Sequence, residues 1–463
     1  MSAFIHAAMI EKLLERFFKT PAVVLDKTID TSKGIIKKVT NQTPLKQAHA
    51  YWKILGPGLT TGAADDDPSG IATYSQAGAQ YGFQLLWLAG FTFPLMAVVQ
   101  EMCARIGLVT CRGLAANIKA YYPKWALYTC AALLFMANTF NIGADLAAMA
   151  AATQLVFPQA TFSLLVIGFT AFSLVLQIFT SYRQYARYLK WLTLVLFSYV
   201  LTAFTINLEW KQVLQHAVMP SFTLSKDQIF LITAVLGTTI SPYLFFWQAS
   251  QECEEQSSKA KTPGQTGPKS VDKQITRMRI DVWSGMFFSN AVMFFIIAVC
   301  AATLFAHGVT DISSAADAAA ALRPLAGENA FLLFALGVIG TGLLAVPILA
   351  GSASYALSES FNWKVGLGRK LNEAHTFYGV IIVSMSLGLL LGFTNINPIR
   401  TLLYSAVANA LVAPVVLIFI VLISSNKAVM GNKANNAVTK GLGWLITGIM
   451  IVSGLATLVS VFI

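Results

Sequence analysis

Eleven apolar segments run through the chain from residue 53 to residue 463, and each is near or above the length of a membrane-spanning helix. A helix needs about 20 apolar residues to cross a hydrocarbon layer roughly 30 Å thick. Only 11% of the residues are charged, whereas soluble domains carry about 25%. The sequence therefore predicts an all-α polytopic membrane protein with 11 transmembrane helices and no large soluble domain. The approximate limits of the segments are 53–79, 83–109, 125–155, 161–181, 188–207, 228–251, 282–306, 329–357, 376–393, 400–423 and 441–463.

The positive charges alternate from one side of these segments to the other. Of the 32 Lys and Arg residues, 28 lie on one side and four on the other. Cytoplasmic loops of membrane proteins carry the excess of Lys and Arg. This pattern predicts a cytoplasmic N-terminus and, with eleven spans, a C-terminus outside. It also accounts for the net charge of +11, so no nucleic-acid partner is expected. The four residues on the other side are Lys211, Lys226, Arg323 and Arg400.

A basic leader at 1–52 precedes the transmembrane domain, which is predicted at 53–463 with a cytoplasmic loop at 257–280. Apolar residues recur in the leader at helical spacing between Ile5 and Phe18, with charged residues between them. This pattern is typical of an amphipathic helix. The helix lies either on a membrane surface or on the cytoplasmic face of the protein itself.

Three carboxylates and a proline interrupt the first apolar segment at Asp65, Asp66, Asp67 and Pro68. About 14 residues separate Lys53 from Asp67, roughly 21 Å of helix, which places Asp67 near the middle of a bilayer. A charge at that depth is costly and marks a functional site. Because proline removes an amide donor, it leaves carbonyl groups in need of a partner. The stretch is interpreted as an oxygen-rich cation site; the alternative is a kinked helix whose aspartates reach a vestibule or an arginine.

Another apolar segment, 229–248, is interrupted in the same way by small polar residues and Pro242. Paired, proline-interrupted segments in corresponding halves of a chain are typical of transporters built from inverted repeats, with the substrate site at the two interruptions. We therefore expect transmembrane helices 1 and 6 to be broken at mid-membrane, at Pro68 and Pro242.

Three further charged residues lie within or beside apolar segments. Glu101 and Arg105 are four residues apart near the cytoplasmic end of the second segment, so they share a helix face and can pair. The pair is interpreted as either a gating or a structural contact. Asp145 lies within the third segment with no basic residue near it in sequence. Such an aspartate could carry a proton, or could be satisfied by hydroxyl groups.

Five stretches of the sequence match the pattern of one known family. The first is 56–70, which contains Gly-Pro-Gly-Leu and then Asp-Pro-Ser-Gly. The others are 101–115, 141–147, 240–243 (Ile-Ser-Pro-Tyr) and 424–431. Together they resemble the Nramp family of divalent-metal transporters, which has Asp-Pro-Gly-Asn in the first stretch and Ile-Met-Pro-His in the fourth. The resemblance, which runs from about residue 52 to residue 431, implies a LeuT-like fold with helices 1–5 and 6–10 as inverted repeats.

Position by position, the resemblance implies a metal site at the two interruptions. The helix 1 aspartate of the family is Asp67, and its backbone carbonyl ligands fall at Ala64 and Thr238. Ser241 stands where the family has methionine, and we expect its hydroxyl to complete the site. The remaining polar residues near these positions are candidates for a proton-binding or vestibule role: Asp145, Asp65, Asp66 and Tyr243.

The departures from the family pattern bear on the choice of metal. Gly70 replaces an asparagine ligand, and Ser241 replaces a methionine whose thioether would favour softer metals. The site that remains contains only oxygen ligands, and such a site suits magnesium, calcium or manganese. Magnesium also retains several waters when bound. The pattern is similar to that of the Nramp-related magnesium transporters, a divergent branch. Ala148 stands where the family has an acidic residue. Tyr243 replaces a histidine and 371–399 lacks the basic residues of the family, and these two departures weaken the prediction of proton coupling.

Three functional hypotheses follow. The preferred one is a transporter of divalent metal cations of the manganese, iron and magnesium class that works by alternating access, with coupling to protons left open. The alternative is a sodium-coupled symporter of an amino acid or another organic solute with the same LeuT-like fold. An enzyme is not expected, because the sequence contains no HExxH or GxSxG motif and no serine, histidine and aspartate set on facing segments.

The expected partners are the transported divalent cation, protons if transport is coupled to them, and membrane lipid. No cofactor is expected, since the metal ion is the substrate. Short loops and a compact chain favour a bacterial inner membrane. The sequence does not determine the oligomeric state or the physiological metal.

Overall fold

The computed structural model describes residues 56–180, 193–206, 208–223, 225–259, 268–394 and 396–462. The predicted leader at 1–52 and residues 260–267 of the predicted loop at 257–280 lie outside the described residues. Every regular element within the described ranges is helical, and none is a strand. The all-α prediction is therefore confirmed for this part of the chain.

Eighteen α-helices are described, joined by short loops and turns of 3-10 helix. They are α1 (Pro57–Asp65), α2 (Pro68–Tyr81), α3 (Trp87–Thr110), α4 (Leu114–Tyr121), α5 (Lys124–Val156), α6 (Phe162–Phe179), α7 (Phe197–Thr205), α8 (Trp210–Val218), α9 (Lys226–Thr239), α10 (Pro242–Lys259), α11 (Pro268–Thr303), α12 (Ala315–Ala320), α13 (Arg323–Ala326), α14 (Ala330–Ser360), α15 (His375–Gly392), α16 (Pro398–Ser425), α17 (Lys427–Met430) and α18 (Ala437–Phe462).

Nine helical segments of the described chain are long and apolar enough to cross a membrane. They correspond to nine of the eleven predicted segments, and the broken pair α9 and α10 counts as one of them. The first predicted segment is not among the nine because it is divided into the shorter helices α1 and α2. Of the fifth predicted segment, the part described as an apolar helix is Leu194–Thr205. A polytopic membrane protein is thus confirmed, whereas the number eleven remains a prediction.

The first apolar segment is broken at two consecutive residues. Helix α1 ends at Asp65, and Asp66 leaves the helical conformation with φ −85° and ψ 48°. Asp67 is extended, with φ −66° and ψ 172°, and α2 begins at Pro68. Proline is well suited to the first turn of a helix, where its missing N–H has no intrahelical partner. The sequence therefore ends one helix and starts the next within four residues.

The sixth apolar segment is broken in the same way. Helix α9 ends at Thr239, Ile240 has φ −111° and ψ 62°, and α10 begins at Pro242. The two breaks predicted from the proline positions are therefore present in the structure.

Glycines bring both broken segments into close contact with other helices. A Cβ atom added at Gly62 of α1 would lie 2.3 Å from the carbonyl oxygen of Gly285 in α11. One added at Gly237 of α9 would lie 2.0 Å from the carbonyl oxygen of Ala406 in α16. Because only glycine permits such an approach, α11 and α16 hold the helices beside the two breaks at short range.

Candidate functional site

Each break frees one backbone carbonyl by the same covalent cause. In an unbroken helix, a carbonyl accepts the N–H of the residue four positions later. For Ala64 that residue is Pro68, and for Thr238 it is Pro242, so neither carbonyl can make its helical hydrogen bond. These are the two carbonyls that the Nramp resemblance assigns as metal ligands, and both residues are buried.

A hydroxyl group satisfies each freed carbonyl in this structure. The Tyr243 hydroxyl of α10 donates a hydrogen bond to the Ala64 carbonyl oxygen over 2.9 Å. The Ser241 hydroxyl donates to the Thr238 carbonyl oxygen over 2.6 Å and also lies 2.9 Å from the Gly237 carbonyl oxygen. Ser241 thus acts within its own broken helix, whereas Tyr243 links α10 to the end of α1.

Asp67 lies between the two broken helices and is 1% exposed. One carboxylate oxygen, Oδ1, accepts the backbone N–H of Gly70 over 2.7 Å and so caps the start of α2. The other, Oδ2, accepts the Asn141 side-chain amide over 3.0 Å and lies 3.4 Å from the Tyr243 hydroxyl. The structure therefore brings Asp67, Ala64 and Tyr243 together.

Asp145 is the second carboxylate on this side of the break. It is fully buried, and neither of its oxygens accepts a hydrogen bond of normal geometry within the described residues. The backbone N–H of Ser69 lies close enough to interact with the carboxylates of both Asp145 and Asp67. The positive end of the α2 backbone thus faces two buried carboxylates. Hydroxyl groups do not satisfy Asp145 in this structure.

Asp65 and Asp66 both contact α11. The Ser289 hydroxyl lies 2.7 Å from an oxygen of Asp65 and 3.2 Å from an oxygen of Asp66. Both aspartates are buried, so in this structure they do not line an open vestibule. Within the described residues, no three His, Cys, Asp or Glu side chains form a group that could hold a metal ion. A metal site at the breaks therefore depends on backbone and hydroxyl oxygens as well as on carboxylate.

Gly70 and Ala148, at which this chain lacks polar residues of the family, both lie close to the helix breaks. A Cβ atom at Gly70 would lie 3.1 Å from the Asp65 carbonyl oxygen and 3.4 Å from the Thr238 hydroxyl. The side chain that glycine lacks would thus enter the space between the two breaks. Ala148 lines a small apolar pocket beside Pro68. The sequence departs from the family pattern at positions that lie at or next to the proposed ligands.

Glu101 and Arg105 belong to a larger polar network between α3 and α11. Their side chains are 3.8 Å apart. The Arg279 guanidinium donates two hydrogen bonds to the Glu101 carboxylate, over 3.0 and 2.9 Å, and the Trp283 indole donates a third over 2.8 Å. Arg105 donates instead to the side chain of Asn435. The network joins α3, α11 and the loop before α18, which suits either a gating or a structural role.

Sequence reasoning did not identify several residues that shape the site. Asn141 lies four positions before Asp145 and therefore on the same helix face, which was an available signal. Ser289 and Arg279 carry no local signal, because their roles depend on how α11 packs along α1 and α3.

Three carboxylates at the predicted cytoplasmic end were also missed, two of them buried and the third, Glu254, half-buried, and each accepts backbone N–H groups. Asp281 of α11 accepts the N–H groups of Gly56 and Gly58 over 2.7 Å each and that of Leu59 over 3.1 Å. Glu359 of α14 accepts the N–H of Ala116 over 2.9 Å. Glu254 accepts that of Leu367 over 3.0 Å. These contacts fasten the start of α1, the short helix α4 and the loop after α14.

The chain is similar over most of its length to curated bacterial transporters. A protein of Aeromonas hydrophila named divalent metal cation transporter MntH is 25% identical over 417 residues, which covers 86% of this chain and 93% of that protein. A protein of the same name from Erwinia tasmaniensis is 26% identical over 431 residues, covering 91% and 96%.

Two solved transporters have a similar fold. The Eremococcus coleocola manganese transporter superposes with a TM-score of 0.69 at 20% identity, covering 89% of this chain and 87% of that one. Mhp1, a nucleobase-cation-symport-1 family transporter, superposes with a TM-score of 0.52 at 16% identity, covering 88% and 91%. At such identities these likenesses concern the fold alone, which is the LeuT-like fold that the sequence predicts. The family model described as natural resistance-associated macrophage protein-like (Nramp) matches residues 58–460, so the chain belongs to the Nramp family, a family of metal-ion transporters and not of enzymes.

Proposed function

We propose that this protein carries divalent metal cations across the membrane by alternating access, with the ion bound at the two helix breaks. The observation that carries the proposal is that two prolines free the carbonyls of Ala64 and Thr238, and that the Tyr243 hydroxyl lies between the first of these and Asp67. Membership of the Nramp family and the names of the relatives support the same substrate class.

The ligands in this proposal are the Asp67 carboxylate, the carbonyl oxygens of Ala64 and Thr238, and the Ser241 hydroxyl. All four are oxygen atoms, and such a set suits magnesium and manganese better than softer metals. Gly70 supplies no ligand atom, so in this proposal water fills the remaining coordination positions. The ion is therefore held with part of its hydration shell retained, as magnesium prefers.

The finer features of the fold belong to the same proposal. The chain has eleven transmembrane helices, with helices 1–5 and 6–10 as inverted repeats and with the N-terminus in the cytoplasm. Its membrane is the bacterial inner membrane, and the apolar outer faces of α6, α15 and α18 contact lipid. The likeness of the two breaks supports the repeats, because each has a freed carbonyl four positions before a proline.

Asp145 is proposed as a counter-charge to the ion or as a group that carries a proton. It lies within electrostatic range of Asp67, and among the described residues neither carboxylate forms an ion pair with Lys or Arg. The two roles make different demands, because a proton carried with the metal changes the internal pH during transport. Simultaneous recording of metal uptake and internal pH separates them.

An organic-solute symporter of the same fold is less well supported. Mhp1 has this general fold, but its TM-score is lower than that of the manganese transporter. In organic-solute symporters of this class, half-helix N-termini meet the carboxylate of the substrate. Asp65, Asp66 and Asp67 at the break would repel such an anion. Sodium-dependent uptake of an amino acid would favour this alternative.

Transport by purified protein in liposomes tests the proposal. Magnesium, manganese and iron(II) are offered outside, with a metal-sensitive dye inside. The Asp67→Ala variant should reduce uptake by roughly 100-fold, because the loss of one charged ligand costs about 3 kcal/mol.

The matched control is Asp311→Ala, which removes an exposed aspartate from the loop after α11 and should transport like the wild type. Equal uptake by the wild type and by Asp67→Ala would contradict the site, and wild-type liposomes that accumulate none of the metals would contradict the function.

A further inference from the structure

We infer that the Tyr243 hydroxyl takes the place of the cation when the transporter is empty and so permits the empty carrier to change its orientation. This inference rests on the proposed function. It assigns Tyr243 as a positioning residue for one step of the cycle, the return of the unloaded site across the membrane.

The geometry places one hydroxyl between two proposed ligands. The Tyr243 oxygen lies 2.9 Å from the Ala64 carbonyl oxygen and 3.4 Å from the Asp67 carboxylate. Asp67 bears a negative charge and the Ala64 carbonyl oxygen a partial negative charge, so both attract the positively polarised hydroxyl proton. Because the hydroxyl has one proton, it donates to one oxygen at a time, and the shorter contact selects Ala64.

The proposed site is buried in this structure. Tyr243 and Ala64 are 0% exposed and Asp67 is 1% exposed, so water does not reach the Ala64 carbonyl. A buried carbonyl without a donor is costly. Asp67 has two other donors, Gly70 and Asn141, whereas the donor to Ala64 is Tyr243.

The freed carbonyl of Thr238 differs from that of Ala64 in the location of its hydroxyl donor. Ser241 reaches Thr238 within the same broken helix, so that contact moves with its helix. Tyr243 instead crosses from α10 to the end of α1. Of the two hydroxyls, that of Tyr243 therefore joins a freed carbonyl of one broken segment to the other broken segment.

When a cation binds, it supplies the positive charge that the hydroxyl proton supplied. The tyrosine proton then turns away from Ala64, and the ion joins Ala64 to Asp67. When metal is present on both sides of the membrane, a carrier can exchange one ion for another and then changes its orientation only with an ion bound. Net transport in one direction also requires the carrier to return without an ion. Loss of the hydroxyl should therefore affect net transport more than exchange.

The test compares these two modes for the Tyr243→Phe variant in liposomes. Net uptake is measured into metal-free liposomes, and exchange is measured as entry of radioactive manganese into liposomes loaded with unlabelled manganese. We expect net uptake to fall by about tenfold, the rate equivalent of one lost buried hydrogen bond, with exchange reduced much less.

Tyr74→Phe is the matched control, since it removes a buried hydroxyl that lies 3.3 Å from the Thr239 hydroxyl and bonds neither proposed ligand. Its ratio of net uptake to exchange should equal that of the wild type. Two results for Tyr243→Phe would overturn the inference: an equal loss in both modes, which would indicate a ligand or folding role, and no loss in either mode. Absence of both modes in the wild type would instead contradict the proposed function itself.

Discussion

Ser241 and Tyr243 illustrate how much a single side-chain atom decides at this site. Each provides a hydroxyl where the family resemblance has a thioether or an imidazole. In the structure both hydroxyls reach freed carbonyl oxygens. Replacement of the side-chain oxygen of residue 241 by sulfur would therefore make this ligand softer with little change in the shape of the side chain.

Replacement of Ser241 by Cys should shift the metal preference toward softer ions. A thiolate or thiol favours cadmium over magnesium, and the substitution is nearly isosteric. We expect the ratio of cadmium to magnesium uptake to rise by about tenfold, a difference near 1.4 kcal/mol. Competition between the two metals in the liposome assay measures it.

The control for this prediction is Ser384→Cys. Ser384 is also buried and its hydroxyl donates to a carbonyl of its own helix, Ile381, over 3.0 Å. The same shift in that variant would show that a buried thiol alone, and not its place at the break, alters the preference.

At the scale of single helices, the half-helix α1 depends on its contacts with α11. Its first N–H groups have no intrahelical acceptor, and the Asp281 carboxylate accepts three backbone N–H groups at this end, from Gly56, Gly58 and Leu59. One turn further along, Gly62 and Gly285 allow the two backbones to touch. Capping and close packing together fix the direction in which α1 approaches the break.

Asp281→Ala should destabilise the protein by about 1–2 kcal/mol, the usual cost of losing a helix N-cap. The measurement is thermal unfolding in detergent. Asp272→Ala is the control on the same helix. Its side chain is 62% exposed and pairs with Lys433, and an exposed ion pair contributes about 0–1 kcal/mol. Equal destabilisation by both variants would contradict the capping role of Asp281.

Gly237→Ala should destabilise the contact between α9 and α16. The added Cβ would lie 2.0 Å from the Ala406 carbonyl oxygen, which is backbone and cannot turn aside. Such overpacking costs about 1–3 kcal/mol or more.

The matched variant is Gly448→Ala in α18, where no heavy atom lies within 4 Å of the added Cβ. There the higher helix propensity of alanine should leave stability unchanged or raise it by up to about 1 kcal/mol. Thermal unfolding of the two variants decides between these outcomes, and a stable Gly237→Ala protein would refute the contact.

At the scale of the whole molecule, the orientation in the membrane depends on the charge distribution. The basic side includes the loop after α3, where Cys111 is exposed. The side that is poor in Lys and Arg includes the loop after α15, where Thr394 is exposed. The positive-inside rule places these two residues on opposite sides of the membrane.

A membrane-impermeant maleimide should therefore label Cys111 only after the cells are opened. The Cys111→Ser, Thr394→Cys double variant should be labelled in intact cells. Partial burial raises the pKa of the Cys111 thiol above its ordinary value, so the reactive thiolate forms at higher pH and labelling should be faster in alkaline buffer. Labelling of Cys111 in intact cells would reverse the predicted orientation.

The apolar pattern and the proline positions are enough to predict the helical, membrane-spanning class and the places where two helices break. Long apolar segments have few alternatives to helix in lipid, and a proline frees a specific carbonyl through covalent structure alone. Asp67, Ala64, Thr238 and Pro242 could be found in this way or by resemblance. Which distant groups meet them depends on how the helices pack, because contacts such as Tyr243 with Ala64 or Ser289 with Asp65 join residues far apart in the chain. Local patterns do not encode how α11 lies along α1 or which face α10 turns toward the break.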